Sequence, residues 1–142
     1  MAEASTNQLR VRLVTPERVI LEVLADSVDL PSKTGYVEPL YGHAPLVAEL
    51  GAGDVILHGG PNDGQTYNVS WGFVEVLPDR VTILANDALK PEEIDVPRAE
   101  QQLDRGLEAW KEAGDSEEAY TEALRVIAEA EAKIASACAA KH

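Results

Sequence analysis

The sequence predicts a β module followed by an antiparallel helical hairpin: a two-sheet β-sandwich over residues 1–88 and a helical pair over residues 89–142. Three observations predict it. Up to Ala88, short β-branched and aromatic runs alternate with Pro, Gly, Asn and Asp turn signals at the spacing of a sandwich or barrel. Beyond that point apolar residues recur at helical spacing, interrupted once by Gly114-Asp115-Ser116. Between the two lies Asp87-Ala88-Leu89-Lys90-Pro91-Glu92-Glu93-Ile94-Asp95-Val96-Pro97-Arg98-Ala99, which carries the one compact polar constellation of the chain.

Composition narrows the function classes. The chain has 142 residues, 45% of them apolar, enough to bury a core and to make disorder a poor reading. Its net charge of −13 argues against nucleic acid as a partner, since a phosphate backbone needs clustered Lys and Arg, and against docking on an anionic leaflet. The one cysteine, Cys138, makes no internal disulfide and suits a reducing compartment. Residues 1–7 have neither a basic nor an apolar segment of a secretory signal and read as a polar tail. No apolar stretch reaches the roughly 20 residues of a spanning helix, so direct membrane insertion is not expected.

The strands follow in order. Leu9, Val11 and Leu13 alternate with Arg10 and Arg12, the period of a half-buried strand. Thr15-Pro16-Glu17-Arg18 is a turn, residues 19–23 a second strand, and residues 26–31 a third that Pro31 should stop. Ser32-Lys33-Thr34-Gly35 is a turn signal, leading into a loop dense in Pro, Gly and aromatics that ends at Pro45. Residues 46–50 and 55–57 read as strands separated by a turn at Gly51-Ala52-Gly53-Asp54. His58-Gly59-Gly60-Pro61-Asn62-Asp63-Gly64 is the strongest turn cluster. Residues 66–77 form one bent strand or two, with Gly72 permitting a bulge, and residues 81–84 close the series after a turn at Pro78-Asp79-Arg80.

Asp95 is a natural N-cap, with Pro97 in the first turn, where its missing N–H does no harm. Ala99, Leu103, Leu107 and Trp110 form one apolar stripe; Gly114 is a C′ signal; Asp115 and Glu118 make a box-like start for the second helix. On that helix Tyr120, Leu124, Ile127 and Ile134 share a face, while Ala119, Ala123, Ala130 and Ala137 are small enough to admit a neighbouring helix. The pair has a thin core and must lie on something, the sandwich or a partner.

Several strings, in this order, resemble the epsilon subunits of bacterial F-type ATP synthases, counterparts of the mitochondrial delta subunit. They are Val14-Thr15-Pro16-Glu17-Arg18, Asp26-Ser27-Val28 with Leu30-Pro31, Gly42-His43-Ala44-Pro45-Leu46, Ser70-Trp71-Gly72-Phe73-Val74-Glu75-Val76 and Asp79-Arg80-Val81-Thr82-Ile83-Leu84-Ala85. The third is the most specific, and the likeness runs from Leu9 to about Ile134. The resemblance implies a non-catalytic rotor subunit of the central stalk. Its sandwich grips the gamma subunit and rests on the c-ring, on the cytoplasmic face of the membrane, and couples rotation driven by protons or sodium ions to the catalytic head. The hairpin folds beside the sandwich or, in many members, extends towards the alpha and beta subunits and blocks ATP hydrolysis.

Some members of that family bind ATP as a regulatory ligand through the pattern Ile/Leu-Asp-x-x-Arg-Ala, which reads Ile94-Asp95-Val96-Pro97-Arg98-Ala99 here, with Arg125 matching a second Arg of the site. The spacing is compatible, because Arg98 lies one helical turn beyond Asp95 and a guanidinium fork suits phosphate oxygens. The plain alternative is an N-cap and a surface ion pair worth at most about 1 kcal/mol. The resemblance also places partner contacts at Tyr36, Glu38, Tyr41, Gly42 and His43, in a stretch facing the c-ring, while part of the sandwich faces gamma. This chain departs from the family pattern at Tyr36 after Gly35, at Pro39 and Tyr41, and at Trp71, where glycine is more usual. Residues 117–142 hold Arg125, Lys133 and Lys141 against five Glu, which argues for a weak inhibitory hairpin or none.

Other constellations carry less. His43 lacks a nucleophile and an orienting acid, so it reads as a loop or contact residue. His58 reads as exposed turn chemistry, and three scattered His with one Cys do not make a zinc site. Gly59-Gly60-Pro61 lacks the Lys-Ser/Thr of a phosphate loop. No cofactor is required by this reading. The runner-up function is a stand-alone ATP-sensing adaptor built on the hairpin site; a small enzyme is the weakest reading.

Overall fold

A computed structural model describes residues 8–140; the polar tail expected over residues 1–7 lies outside them. Seven strands come first: β1 (Leu9–Val14), β2 (Val19–Ala25), β3 (Ser27–Ser32), β4 (Gly35–Val37), β5 (Leu46–His58), β6 (Thr66–Leu77) and β7 (Arg80–Leu89). A 3-10 turn (Pro91–Glu93) leads to helices α1 (Val96–Glu112) and α2 (Glu117–Ala140). The chain divides into two compact units between Leu89 and Lys90.

In the β unit the strands form one ladder in the order β2-β1-β7-β6-β5-β3-β4. The β1–β7 pairing is parallel and the other pairings are antiparallel. A single buried cluster collects Leu9, Val11 and Leu13 from β1, Val28 and Leu30 from β3, Leu50, Val55 and Leu57 from β5, Val69, Val74 and Val76 from β6, and Val81 and Ile83 from β7. The alternation read in β1 is realised, with Arg10 and Arg12 on the outer face.

The two long strands bend the ladder into a sandwich. In β6 the core-facing series Tyr67, Val69 gives way to Val74, Val76, so the parity of the buried positions changes between them. β5 changes parity at Leu50–Gly51, which its register places against Gly72 and Trp71. The cause in β6 is local: Trp71 has φ 58° and Gly72 φ 130°, both in the left-handed half of conformational space. A Cβ at Gly72 would run into the carbonyl oxygen of Leu84 on β7, so a side chain is excluded there. One ladder thereby lines both halves of the core.

The structure corrects several local expectations. Gly51 to Asp54 is no turn; β5 runs through it. The glycines serve close approach instead, since a Cβ on Gly51 would press on the Ser32 carbonyl and one on Gly53 on the Tyr36 ring. Pro31 does not stop β3 but sits buried inside it, opposite Tyr36 on β4 and at the irregular register of the β3–β5 pairing between Asp29 and Ser32, where a missing N–H is tolerated. Of the two alternatives for residues 66–77, the structure has the single strand. The second helix is capped by Ser116, whose Oγ accepts the Ala119 N–H at 3.2 Å, rather than by Asp115.

In the helical unit the seam is built from small residues. Ala99 and Gly106 on α1 with its cap residue Ala113, and Ala123, Ala130 and Ala137 on α2, are buried, each series at a spacing of seven. A Cβ at Gly106 would stand 2.8 Å from Ile127 Cγ1 and 3.2 Å from Val126 Cγ1, so the helices meet most closely there. The larger residues expected to bury, Leu107, Trp110, Tyr120 and Leu124, stay exposed within the described structure. Trp110 and Tyr120 bracket the interhelical turn with ring centroids 6.3 Å apart. Gly114, with φ 57°, occupies the left-handed position after the α1 cap.

Candidate functional site

The hairpin motif is laid out by two successive caps. Pro91 opens the 3-10 turn, and the Glu93 carboxylate accepts the Lys90 N–H at 2.9 Å. Ile94 is extended and buried, which sets the entry direction of α1. Asp95 is its N-cap: one carboxylate oxygen accepts the Arg98 N–H at 3.2 Å and its carbonyl accepts the Ala99 N–H at 3.0 Å. Ala99 is buried in the seam, where a larger side chain would hold the helices apart. Asp95 and Arg98 thus share one turn with both side chains exposed, and Arg125 is exposed on α2. A groove of about 560 Å³ between the helices is lined by Gln102, Arg105, Gly106, Ala109, Glu122 and Val126, among others, and by none of Ile94, Asp95, Arg98, Ala99 or Arg125.

The loop after β4 forms a platform. The Gly42 N–H reaches the Pro78 carbonyl at 2.7 Å and the His43 N–H the Leu40 carbonyl at 3.0 Å, while Leu40 bridges to Ser27. Gly42 has φ 89°, which explains a glycine at that step. A His43 ring nitrogen lies 2.6 Å from the Ala44 carbonyl, so the ring is spent on ordering the loop. Tyr36 is 60% exposed, yet its hydroxyl accepts the Asp54 N–H at 2.9 Å, tying β4 to β5. Leu40 and Tyr41 are also exposed. On the outer sheet face the register sets Leu84 beside Phe73, and Val47 diagonal to it. These three are 51%, 55% and 70% exposed, an apolar row that sequence alternation alone would have hidden, because strands that change parity move residues between faces.

Sequence reasoning missed a polar cluster at the β3–β5 edge. His58 is the last residue of β5, not free turn chemistry, and its Nε2 lies 2.9 Å from Asp29 Oδ2 on β3. Glu38, from the platform loop, accepts the Ser27 hydroxyl at 2.9 Å beside them. The Asp29 bond raises the His58 pKa above its ordinary value; desolvation opposes this, and the charges of Asp29, Glu38 and Asp63 add to it. The three residues are 29 positions apart in sequence at most; the antiparallel β3–β5 register joins Asp29 and His58, and the bonds of Ser27 to Glu38 and Leu40 bring in the loop.

The family model of the ATP synthase delta/epsilon chain β-sandwich domain matches residues 8–91. The chain belongs to the delta/epsilon family of ATP synthase. Relatives include the ATP synthase epsilon chain of Koribacter versatilis, 41% identical over 104 residues, covering 72% of this chain and 71% of that one. That of Solibacter usitatus is 39% identical over 130 residues, covering 91% and 95%. Epsilon chains of this kind are non-catalytic subunits of the synthase. The fold recurs in the Euglena gracilis mitochondrial ATP synthase (OSCP/F1/c-ring), with a TM-score of 0.76 at 21% identity, covering 96% of this chain and 82% of that chain. It recurs also in the Tetrahymena thermophila mitochondrial ATP synthase central stalk/c-ring, with a TM-score of 0.66 at 12% identity, covering 94% and 98%. Among the described residues no helix is long and apolar enough to cross a membrane.

Proposed function

We propose that this epsilon chain works in the central stalk, at the membrane's cytoplasmic face, as a rotor piece that couples c-ring rotation through the gamma subunit to the catalytic head. The observation that carries the reading is the pair of exposed apolar surfaces on one compact β unit. The row Val47, Phe73 and Leu84 suits a largely helical partner such as gamma, and the platform of Tyr36, Glu38, Leu40, Tyr41, Gly42 and His43 suits the ring. A coupling subunit must transmit torque between two partners, and a loop tied to both Pro78 and Ser27 does not yield as a free loop would. Affinity capture of the full chain from membranes tests this. Recovery with gamma is the expected result, weakened by Phe73→Glu; recovery without gamma would leave the stand-alone adaptor as the better account.

Within the same reading, Ile94, Asp95, Arg98, Ala99 and Arg125 form a regulatory ATP site on the hairpin. Support comes from the exposed Asp95 and Arg98 on one helical turn, with a guanidinium placed for phosphate oxygens. Calorimetric titration with ATP, with Arg98→Ala as control, decides between this and a cap alone: saturable heat lost in the variant supports the site, and no heat at millimolar ATP rejects it.

A further inference from the structure

Strands β3 and β5 and the platform loop hold a donor set of mixed chemistry, two members of which, Asp29 and His58, the coupling role does not use. Asp29, Glu38 and His58 each offer one ligand atom, and these atoms all lie within 4.8 Å of one another. They come from three separate segments: the middle of β3, the loop after β4, and the end of β5. Two of the three are held by the core. Asp29 stands between Val28 and Leu30, and His58 follows Leu57, all three neighbours being fully buried. Their side chains are 32% and 42% exposed, shielded enough to be held and open enough for an ion to enter. Among the described residues neither carboxylate has an Arg or Lys partner, so the charge of the pair is answered only by His58. Asp63, which adds its field to His58, deepens the negative potential.

We propose that Asp29, Glu38 and His58 form a site for a divalent transition-metal ion of the zinc class, which clamps the platform loop onto the sheet edge. Zinc takes His nitrogen and carboxylate oxygen at about 2.0–2.2 Å, which sets ligand atoms roughly 3.5 Å apart in a tetrahedron. The His58–Asp29 pair, at 2.9 Å, opens slightly to admit the ion, and Glu38 swings in by rotation of an exposed side chain. Two carboxylates neutralise the ion, and the imidazole selects against calcium and magnesium, which prefer oxygen-only shells. Three protein ligands leave a position for water. The ion's structural effect follows from topology: Glu38 opens the loop that carries Tyr41, Gly42 and His43, while Asp29 and His58 belong to the ladder.

The test uses the full chain freed of metal by chelation. Zinc is titrated calorimetrically into it, and cobalt(II) is followed by visible absorption and by the paramagnetic shift of histidine ring protons. One equivalent is expected to bind, with His58 shifted and His43 unshifted. His58→Gln, Asp29→Asn and Glu38→Gln should each weaken zinc by at least about tenfold, the scale on which disturbed metal sites lose affinity. Circular dichroism spectra matching the parent keep a folding defect from imitating that loss. Zinc binding unchanged in the His58→Gln variant, magnesium binding as well as zinc, a His43 shift without a His58 shift, or no saturation at about 100 μM zinc would each overturn the site.

Discussion

Trp71 sits at φ 58°, where a residue with a Cβ is crowded by its own backbone. A glycine at this step would carry no such penalty. Trp71→Gly and Trp71→Ala both remove the ring, but only the first also removes the strain. We therefore expect the glycine variant to be the more stable of the two by about 1 kcal/mol, read from urea unfolding. Equal stabilities would mean that the bend is not held in the left-handed region. His58 gives a second residue-scale test. Its pKa is raised in the folded chain from an ordinary value near 6.5, chiefly by the Asp29 bond. A raised pKa adds stability that is complete below the unfolded value and is lost as pH rises through the folded one. In metal-free protein the melting temperature should decline from pH 6 to pH 8 by more than it does in Asp29→Asn; parallel profiles would contradict the assignment.

At the scale of elements, the hairpin shows how spacing is read fully from sequence and burial only in part. The helical period of residues 96–140 is plain, and so is the Asp95 cap. The inward face is legible on α2, where Ala123, Ala130 and Ala137 are buried as read although Ala119 is exposed, but not on α1, where Leu107 and Trp110 form as regular a stripe as Ala99 and Gly106. Close packing selected the alanine and glycine seam, since short side chains let two backbones approach where large ones would hold them apart. Gly106 is the tightest point. Gly106→Val should lower the stability of the hairpin by roughly 1–3 kcal/mol through overpacking against Val126 and Ile127. Gly106→Ala should be close to neutral, because a helix-propensity gain of about 1 kcal/mol offsets the crowding. Hydrogen exchange of the α1 amides measures both; protection retained in the valine variant would show that the helices do not meet at that point.

For the whole molecule, the units are separable in their cores. The buried cluster of the β unit draws on residues from Leu9 to Ala85, and none of it comes from the helices. A chain ending at Leu89 should therefore unfold cooperatively, with a sigmoidal urea transition; a broad, non-cooperative melt would contradict it. The same truncation addresses regulation. Residues 117–142 hold five Glu against Arg125, Lys133 and Lys141, and Lys133 is engaged by Glu129 at 2.9 Å on its own helix. Few bases remain on that helix, and its excess of acids opposes approach to any acidic surface. Assembled synthase lacking residues 90–142 should hydrolyse ATP at nearly the parental rate, and a several-fold rise would show that the hairpin does inhibit.

Local chemistry carried much of this protein in the sequence by itself. Alternation placed Leu9, Val11 and Leu13 inside, the change of period beyond Leu89 announced the helices, and Asp95 and Gly114 marked the ends of α1. Each of these depends on a side chain and its near neighbours along the chain. Tertiary structure decided what depends on residues far apart. It turned Gly51 and Gly53 from turn signals into points of close approach, changed the parity of β5 and β6 at Trp71 and Gly72, and chose the small-residue seam of the hairpin. It also gathered Asp29, Glu38 and His58, because a strand register brings together residues that no local spacing relates.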